Sequence, residues 1–352
     1  MPALYIAYRG EPEDRRLRWS SFDGQGLSPR FSSPQILEDR GSWDGPALAN
    51  LGAKLYMAWR GVEDDVRLFW ATAELRENRA HWSEQHSLDD RGSTSQPALA
   101  VYQDKLFMAW RGATEDDSRL FWATFDGMNW SRSQVLDDRG SFSGPALAEF
   151  HGKLFMAWRG IEFDHRIFWA TFDGTLWSPQ QVLDDRGSQD GPALCVFRDN
   201  LYMFLRGPRE DRKLFFSTLD ESSSGLWSGP RILEPLMSEA RPAVAVFRNQ
   251  LYIANIGVLS DADPDIPHKE DGVDHPPSLG VFDTRLRYAI FDGERPTIAE
   301  QAVGDVSRAS PALAVFPDIT RSLRRFLLTH GFDPSKGVMQ VGGGSVKELM
   351  GL

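Results

Sequence analysis

Cysteine is nearly missing from this 352-residue sequence, in which Cys195 stands alone. No intrachain disulfide can form, and the expected setting is a reducing, cytoplasmic one, or release by a route without a signal peptide. Basic residues are also in deficit, 39 Lys and Arg against 50 Asp and Glu, for a formal net charge of -11. Nucleic acid and anionic membranes need a basic partner surface, so neither is expected. No run approaches the ~20 apolar residues of a transmembrane helix. Met1 leads straight into LYIAYRG, with no basic and apolar leader. Sustained helical periodicity is missing too. So are the nucleophile elbow, the HExxH helix and the phosphate-binding glycine loop. No catalytic residue and no cofactor is nominated.

What the sequence does have is a repeat. KLYMAWRG from Lys54 returns as KLFMAWRG at Lys105 and Lys153, and more weakly as NLYMFLRG at Asn200 and LYIAYRG at Leu4. A period of about 50 residues is that of an array built from four-stranded units. The first strand of a unit is GPALAEF from Gly144, echoed at Gly45, Gln96, Gly191, Arg241 and Ser310. The second is the KLFMAWRG run. The third is RLFWATFDG from Arg119, echoed at Arg67, Arg166, Lys213 and Arg285, and the fourth is SQVLDDRGS from Ser133 with its copies. His151-Gly152 and Asp126-Gly127 supply hairpin-turn chemistry between strands.

The second strand does not alternate: Leu55, Tyr56, Met57, Ala58 and Trp59 run together. Such a strand is covered on both faces. In a two-sheet sandwich one face meets water, whereas in a propeller each blade is covered by two neighbours. The hairpins exclude a parallel sheet. The expected fold is all-β: one domain over 1–352, a seven-bladed β-propeller of four-stranded antiparallel blades. Seven follows from the glycines that end the second strand, Gly10, Gly61, Gly112, Gly160, Gly207, Gly257 and Gly331. The first unit has no inner strand of its own. Blade one is therefore incomplete, or closed by the C-terminal tail, where VMQVGGG from Val338 and SVKELM from Ser345 also read as strands.

Strand direction alternates within a blade, which sorts the loops onto two faces. Second-to-third loops and blade-to-blade crossovers share one face, and it is the polar one. The WRGxEDD loops and their copies place Arg9, Arg60, Arg111, Arg159 and Arg206 there, with Glu63, Glu115 and Glu162. The DDRGS crossovers add Asp90, Arg91, Asp138, Arg139, Asp185 and Arg186, and Trp43 sits in the first crossover. These are the candidate ligand-binding residues. Guanidinium and carboxylate groups suit the hydroxyls of a sugar, and an indole suits its apolar face. A structural use stays open, in which Glu63, Asp64 and Asp65 neutralise Arg60 and Arg67, while Asp90 and Arg91 tie one blade to the next. Trp70, Trp122 and Trp169 are expected in the core, and Trp82, Trp130, Trp177 and Trp227 against the outer strand.

The sixth unit carries an insertion, 258–280, between its second and third strands. Asp261, Asp263, Asp265, His268 and His275 within it are candidate metal ligands, although the spacing is not that of a calcium loop. A solvated loop and a lid are the other readings.

The unit GPALAEFHGKLFMAWRG followed by RIFWATFDGTLWS resembles the repeat of tectonin-type propeller lectins. TFDGMNWS from Thr124 resembles the turn of bacterial-neuraminidase-repeat propellers. The resemblance implies glycan partners, fucosylated or O-methylated, held in pockets between blades. Asp126 and Gly127 are adjacent here, which departs from the Ser-x-Asp-x-Gly-x-x-Trp box and argues against sialidase activity. Regular repetition of the candidate residues points to a multivalent lectin. The alternatives are a glycosidase or lyase with one asymmetric site near 258–280, and a protein-interaction scaffold.

Overall fold

The computed structural model describes residues 2–11, 13–24, 30–76, 79–220, 225–257, 285–298, 303, 307 and 309–316. Among them are only strands and turns, arranged as six antiparallel sheets. Blade four shows the plan. Its inner strand Ala146–Phe150 pairs with Lys153–Arg159, which pairs with Arg166–Phe172, which pairs with the outer strand Gln181–Gly187. The inner strands neighbour one another in a closed ring, blade six beside blade one. The fold is thus an all-β propeller. No helix among the described residues is long and apolar enough to cross a membrane.

The blade count corrects the sequence reading: six, not seven. Ala312–Phe316, whose sequence repeats the first-strand motif, does not open a seventh blade. It pairs with Ala3–Arg9, with Ala312 opposite Ala7 and Phe316 opposite Ala3. Six first strands and six second strands then match one to one. The physical reason is the exposed edge. Ala3–Arg9 has no inner partner from its own unit, and an unpaired edge leaves a row of backbone donors and acceptors unbonded. The closing strand comes from late in the chain, as the ring needs, but from 312–316. Gly331 and the tail from Val338 lie outside the described residues, as does the insertion 258–280.

Second strands are buried on both faces, as their unbroken apolar runs require: only the first residue of Lys153–Arg159 is exposed. The hydrophobic clusters straddle blades. One joins Ala98, Phe107 and Trp122 of blade three to Leu147, Met156 and Trp158 of blade four. Trp122 and Trp169 are buried, and Trp70, Trp130 and Trp177 are half-buried against these clusters. The inner hairpins turn through two left-handed residues, such as His151 and Gly152 with φ of 47° and 72°. On the other turns Asp126 Oδ1 accepts the Met128 and Asn129 N–H groups at 2.8 and 2.7 Å.

Candidate functional site

The crossovers and the second-to-third turns meet on one face. Trp43, Thr94 and Phe142 donate their backbone N–H to the carbonyls of Gly61, Gly112 and Gly160 in the next blade, at 3.1, 3.1 and 3.2 Å. The candidate residues therefore gather at the joints between blades, but their environments differ sharply.

The arginines that end the second strands are buried and bonded to backbone. Arg159 is 1% exposed. It donates to the Glu162 carbonyl and the Gln189 carbonyl, both at 2.6 Å. Arg60 donates to the carbonyls of Glu63 and Thr94, and Arg111 to those of Glu115 and Ser141. Arg206 donates to the Ser238 carbonyl and reaches Asp190, while Arg9 donates to the Trp43 carbonyl. These side chains clamp turn to crossover. Burial pushes the guanidinium pKa of Arg60, Arg111 and Arg159 down. Glu63, Glu115 and Glu162 lend them main-chain oxygens, and their carboxylates stay exposed.

The crossover acids and arginines form the joints themselves. The outer-strand ladder breaks at this point. Arg119 pairs with Gly140 and Leu120 with Leu136, so Asp137, Asp138 and Arg139 bulge out of it. The same bulge recurs in blades one, two and four. Asp138 holds the Arg139 guanidinium at 3.2 Å, and Arg139 donates to the Ser178 carbonyl of blade four at 2.6 Å. Asp90 and Arg91 repeat this toward Ser131, and Asp185 pairs with Arg186 at 2.8 Å. Arg139 is also sandwiched between Trp158 and Trp177, 5.9 Å from each ring centroid.

The third-strand arginines were less legible as site residues. Arg119 bridges Asp117 at 2.9 Å and Asp137 at 3.3 Å, and lies 5.5 Å over Phe121. Arg166 does the same with Asp164, Asp184 and Phe168. The guanidinium of Arg119 holds the Asp117 carboxyl below its ordinary pKa, and Arg166 does so for Asp164. Phe121 and Phe168 stack on Trp110 and Trp158 at 6.0 and 6.2 Å. Their signal is the Arg-x-Phe-Trp repeat at Arg67, Arg119 and Arg166.

Between blades three and four these parts enclose a cleft of about 360 Å³. Arg119, Asp137, Asp138 and Arg139 form one wall, and Trp158, Ile161, Asp164 and Phe168 the other. Equivalent residues stand at the joints of blades one with two and two with three. At the joint of blades four and five Leu205 takes the tryptophan position. Trp43 is 43% exposed, with the Arg15 guanidinium 4.0 Å from its ring.

At the axis the six first-strand starts meet. Three are glycines, where a Cβ would fall on a neighbouring carbonyl: Gly45 on Ser310, Gly144 on Gln96 and Gly191 on Gly144. Opposite them the buried Arg241 crosses from blade six. It donates to the carbonyls of Gly144 and Pro145 at 3.2 and 3.0 Å and to the Gln96 side chain. Cys195 is half-buried, and desolvation pushes its thiol up to about 12, which favours the protonated form. No metal-competent cluster of His, Cys, Asp or Glu occurs among the described residues. Asp261, Asp263, Asp265, His268 and His275 lie outside them.

No family model matches the chain, and no curated protein is significantly similar to it in sequence. Its fold is similar to that of AofleA from Arthrobotrys oligospora, at TM-score 0.58 and 9% identity over 89% of each chain. A variant of AofleA with three arginines changed to alanine aligns at TM-score 0.57 and 10% identity, over 86% of this chain and 82% of that one. The GH43 β-xylosidase/α-arabinofuranosidase CoXyl43 from a compost microbial metagenome reaches TM-score 0.45 at 12% identity, over 60% of this chain and 84% of its own. That value does not show a common fold. At these identities the AofleA likeness shows the propeller fold alone.

Proposed function

We propose that this protein is a carbohydrate-binding propeller, a lectin, that holds glycans in the clefts between its blades. The observation that carries the reading is the cleft between blades three and four. It presents paired donors and acceptors beside the half-buried ring of Phe168, which is backed by the buried Trp158, the combination that a sugar ring with hydroxyls and an apolar face requires. Among its walls are three carboxylates, Asp137, Asp138 and Asp164, against two guanidiniums, Arg119 and Arg139. With the chain at -11, this favours neutral glycans over sialylated or sulfated ones. Fucosylated and O-methylated sugars belong to that neutral class. Repetition of the wall residues at three joints supports more than one site per chain. Arg241 and Gln96 meet at the axial end of this face.

The test is an array of neutral and anionic glycans, followed by calorimetric titration of the best neutral hit. Binding at more than one site per chain is expected, with Asp138→Asn removing one site and sparing the rest. A protein that binds no glycan, or binds one at a single site that Asp138→Asn leaves intact, would sink the reading.

A further inference from the structure

The repeats are internal controls for one another, and blade four departs from its siblings at one tight turn. Asp164 N–H donates to the Ile161 carbonyl at 2.8 Å, closing the turn 161–164. Ile161 and Asp164 both line the cleft between blades three and four, so the tip of this turn is the rim of the cleft. At the tip stands Phe163, 91% exposed. The same position holds Asp64 in blade two and Glu210 in blade five. Folding does not need an aromatic ring there, because the side chain buries almost nothing and its siblings are carboxylates. Beside it Ile161 is 45% and Phe142 52% exposed. Phe142 is joined to the base of the turn by its N–H bond to Gly160, and the Arg159 guanidinium lies 4.5 Å over its ring. Three exposed apolar side chains stand on the turn and the crossover that border this cleft, where sibling positions carry Trp43, Thr94 and Gln189 against Phe142, and Val62, Ala113 and Pro208 against Ile161. A rimmed apolar cluster beside a polar cleft marks a binding surface.

We infer that the cleft between blades three and four is an extended oligosaccharide site, with one sugar in the cleft and the next stacked on Phe163. This rests on the glycan-binding reading and goes further, since it makes the joints unequal. The first ring meets the carboxylates and guanidiniums. The second presents its apolar C–H face to the phenyl ring, which exposes a rigid apolar surface at low entropic cost. Joints with a carboxylate at that tip hold a single ring.

The test titrates the wild type and Phe163→Asp, which installs the residue of blade two, with neutral mono-, di- and trisaccharides of glucose, galactose, mannose, xylose and fucose. The wild type should bind one class of site about five- to tenfold more tightly for a disaccharide than for its monosaccharide. Phe163→Asp should erase that gain and keep monosaccharide affinity, and Phe163→Tyr should restore it. A gain that survives Phe163→Asp, or equal affinity for mono- and disaccharide in the wild type, overturns the inference while leaving glycan binding in place. A wild type that binds none of these sugars overturns both.

Discussion

Arg241 and Gln96 start the inner strands of opposite blades, six and three, and meet on the axis, where the Arg241 guanidinium donates to the Gln96 Oε1. The same guanidinium spans the Gly144 and Pro145 carbonyls. One side chain thus ties three blades across the ring. Burial lowers its pKa, and the carboxylates of Asp44 and Asp190 oppose that shift. Arg241→Ala should cost about 3 kcal/mol, because it strands a buried amide oxygen and removes a cation beside Asp44 and Asp190. Urea unfolding measures this, and a change below about 1 kcal/mol would mean that the axis relaxes around the loss.

Gly144 and Gly52 separate two roles of glycine. A Cβ on Gly144 would overlap the Gln96 carbonyl, whereas nothing lies within 4 Å of one on Gly52, whose φ is +59°. Gly144→Ala should cost about 3 kcal/mol through displaced backbone. Gly52→Ala should cost about 1 kcal/mol through its left-handed turn alone. Chemical denaturation of the two variants side by side should preserve that order.

Ala312–Phe316 is the inner strand of blade one. A chain that stops before Ala312 exposes the edge of Ala3–Arg9 and opens the ring. Its thermal midpoint should fall by about 10 °C or more, or the cooperative transition should vanish. A chain that ends just after Phe316 and still melts like the full one would show that 312–316 suffices for closure.

Acid should weaken the joints. Asp65, Asp117 and Asp164 are held below the ordinary aspartate value of 3.8 by hydrogen bonds from Arg67, Arg119 and Arg166. A depressed folded pKa gives stability that is complete above the unfolded value and lost as pH falls through the folded one. Asp190 runs the other way, since desolvation raises its pKa above 3.8. Its ionisation lowers stability as pH climbs from 3.8 through the raised value. Asp164→Asn should therefore lose stability at neutral pH and match the wild type in strong acid. Asp190→Asn should gain at neutral pH and show no gain in acid. Stability curves from pH 2 to pH 8 report both slopes.

Charge alone does not explain Arg139. It bridges Asp138 and the Ser178 carbonyl and fills the gap between two indoles. Lysine keeps the charge and loses the planar fork. Arg139→Lys should destabilise nearly as much as Arg139→Ala, by about 2 to 3 kcal/mol. Full rescue by lysine in a melting experiment would reduce the joint to a simple ion pair.

What the sequence determined by itself was everything local and repeated. The run from Leu154 to Trp158 announces a strand covered on both faces, the turn at His151 and Gly152 announces a hairpin, and alternating direction puts the Trp-Arg-Gly and Asp-Asp-Arg segments on one face. Each depends on neighbours a few residues apart, so the pattern carries the physics. Tertiary structure alone decided how the ring closes and what each charge does. Ala312–Phe316 has the same motif whether it opens a blade or completes one, and its partner is about 300 residues away in sequence. Arg159 and Arg139 look alike as repeated arginines, yet one clamps a turn carbonyl to a crossover carbonyl and the other is locked between two indoles and the Ser178 carbonyl. Which acceptor a guanidinium reaches depends on the packing of the next blade, and that distance is set only when the ring is complete.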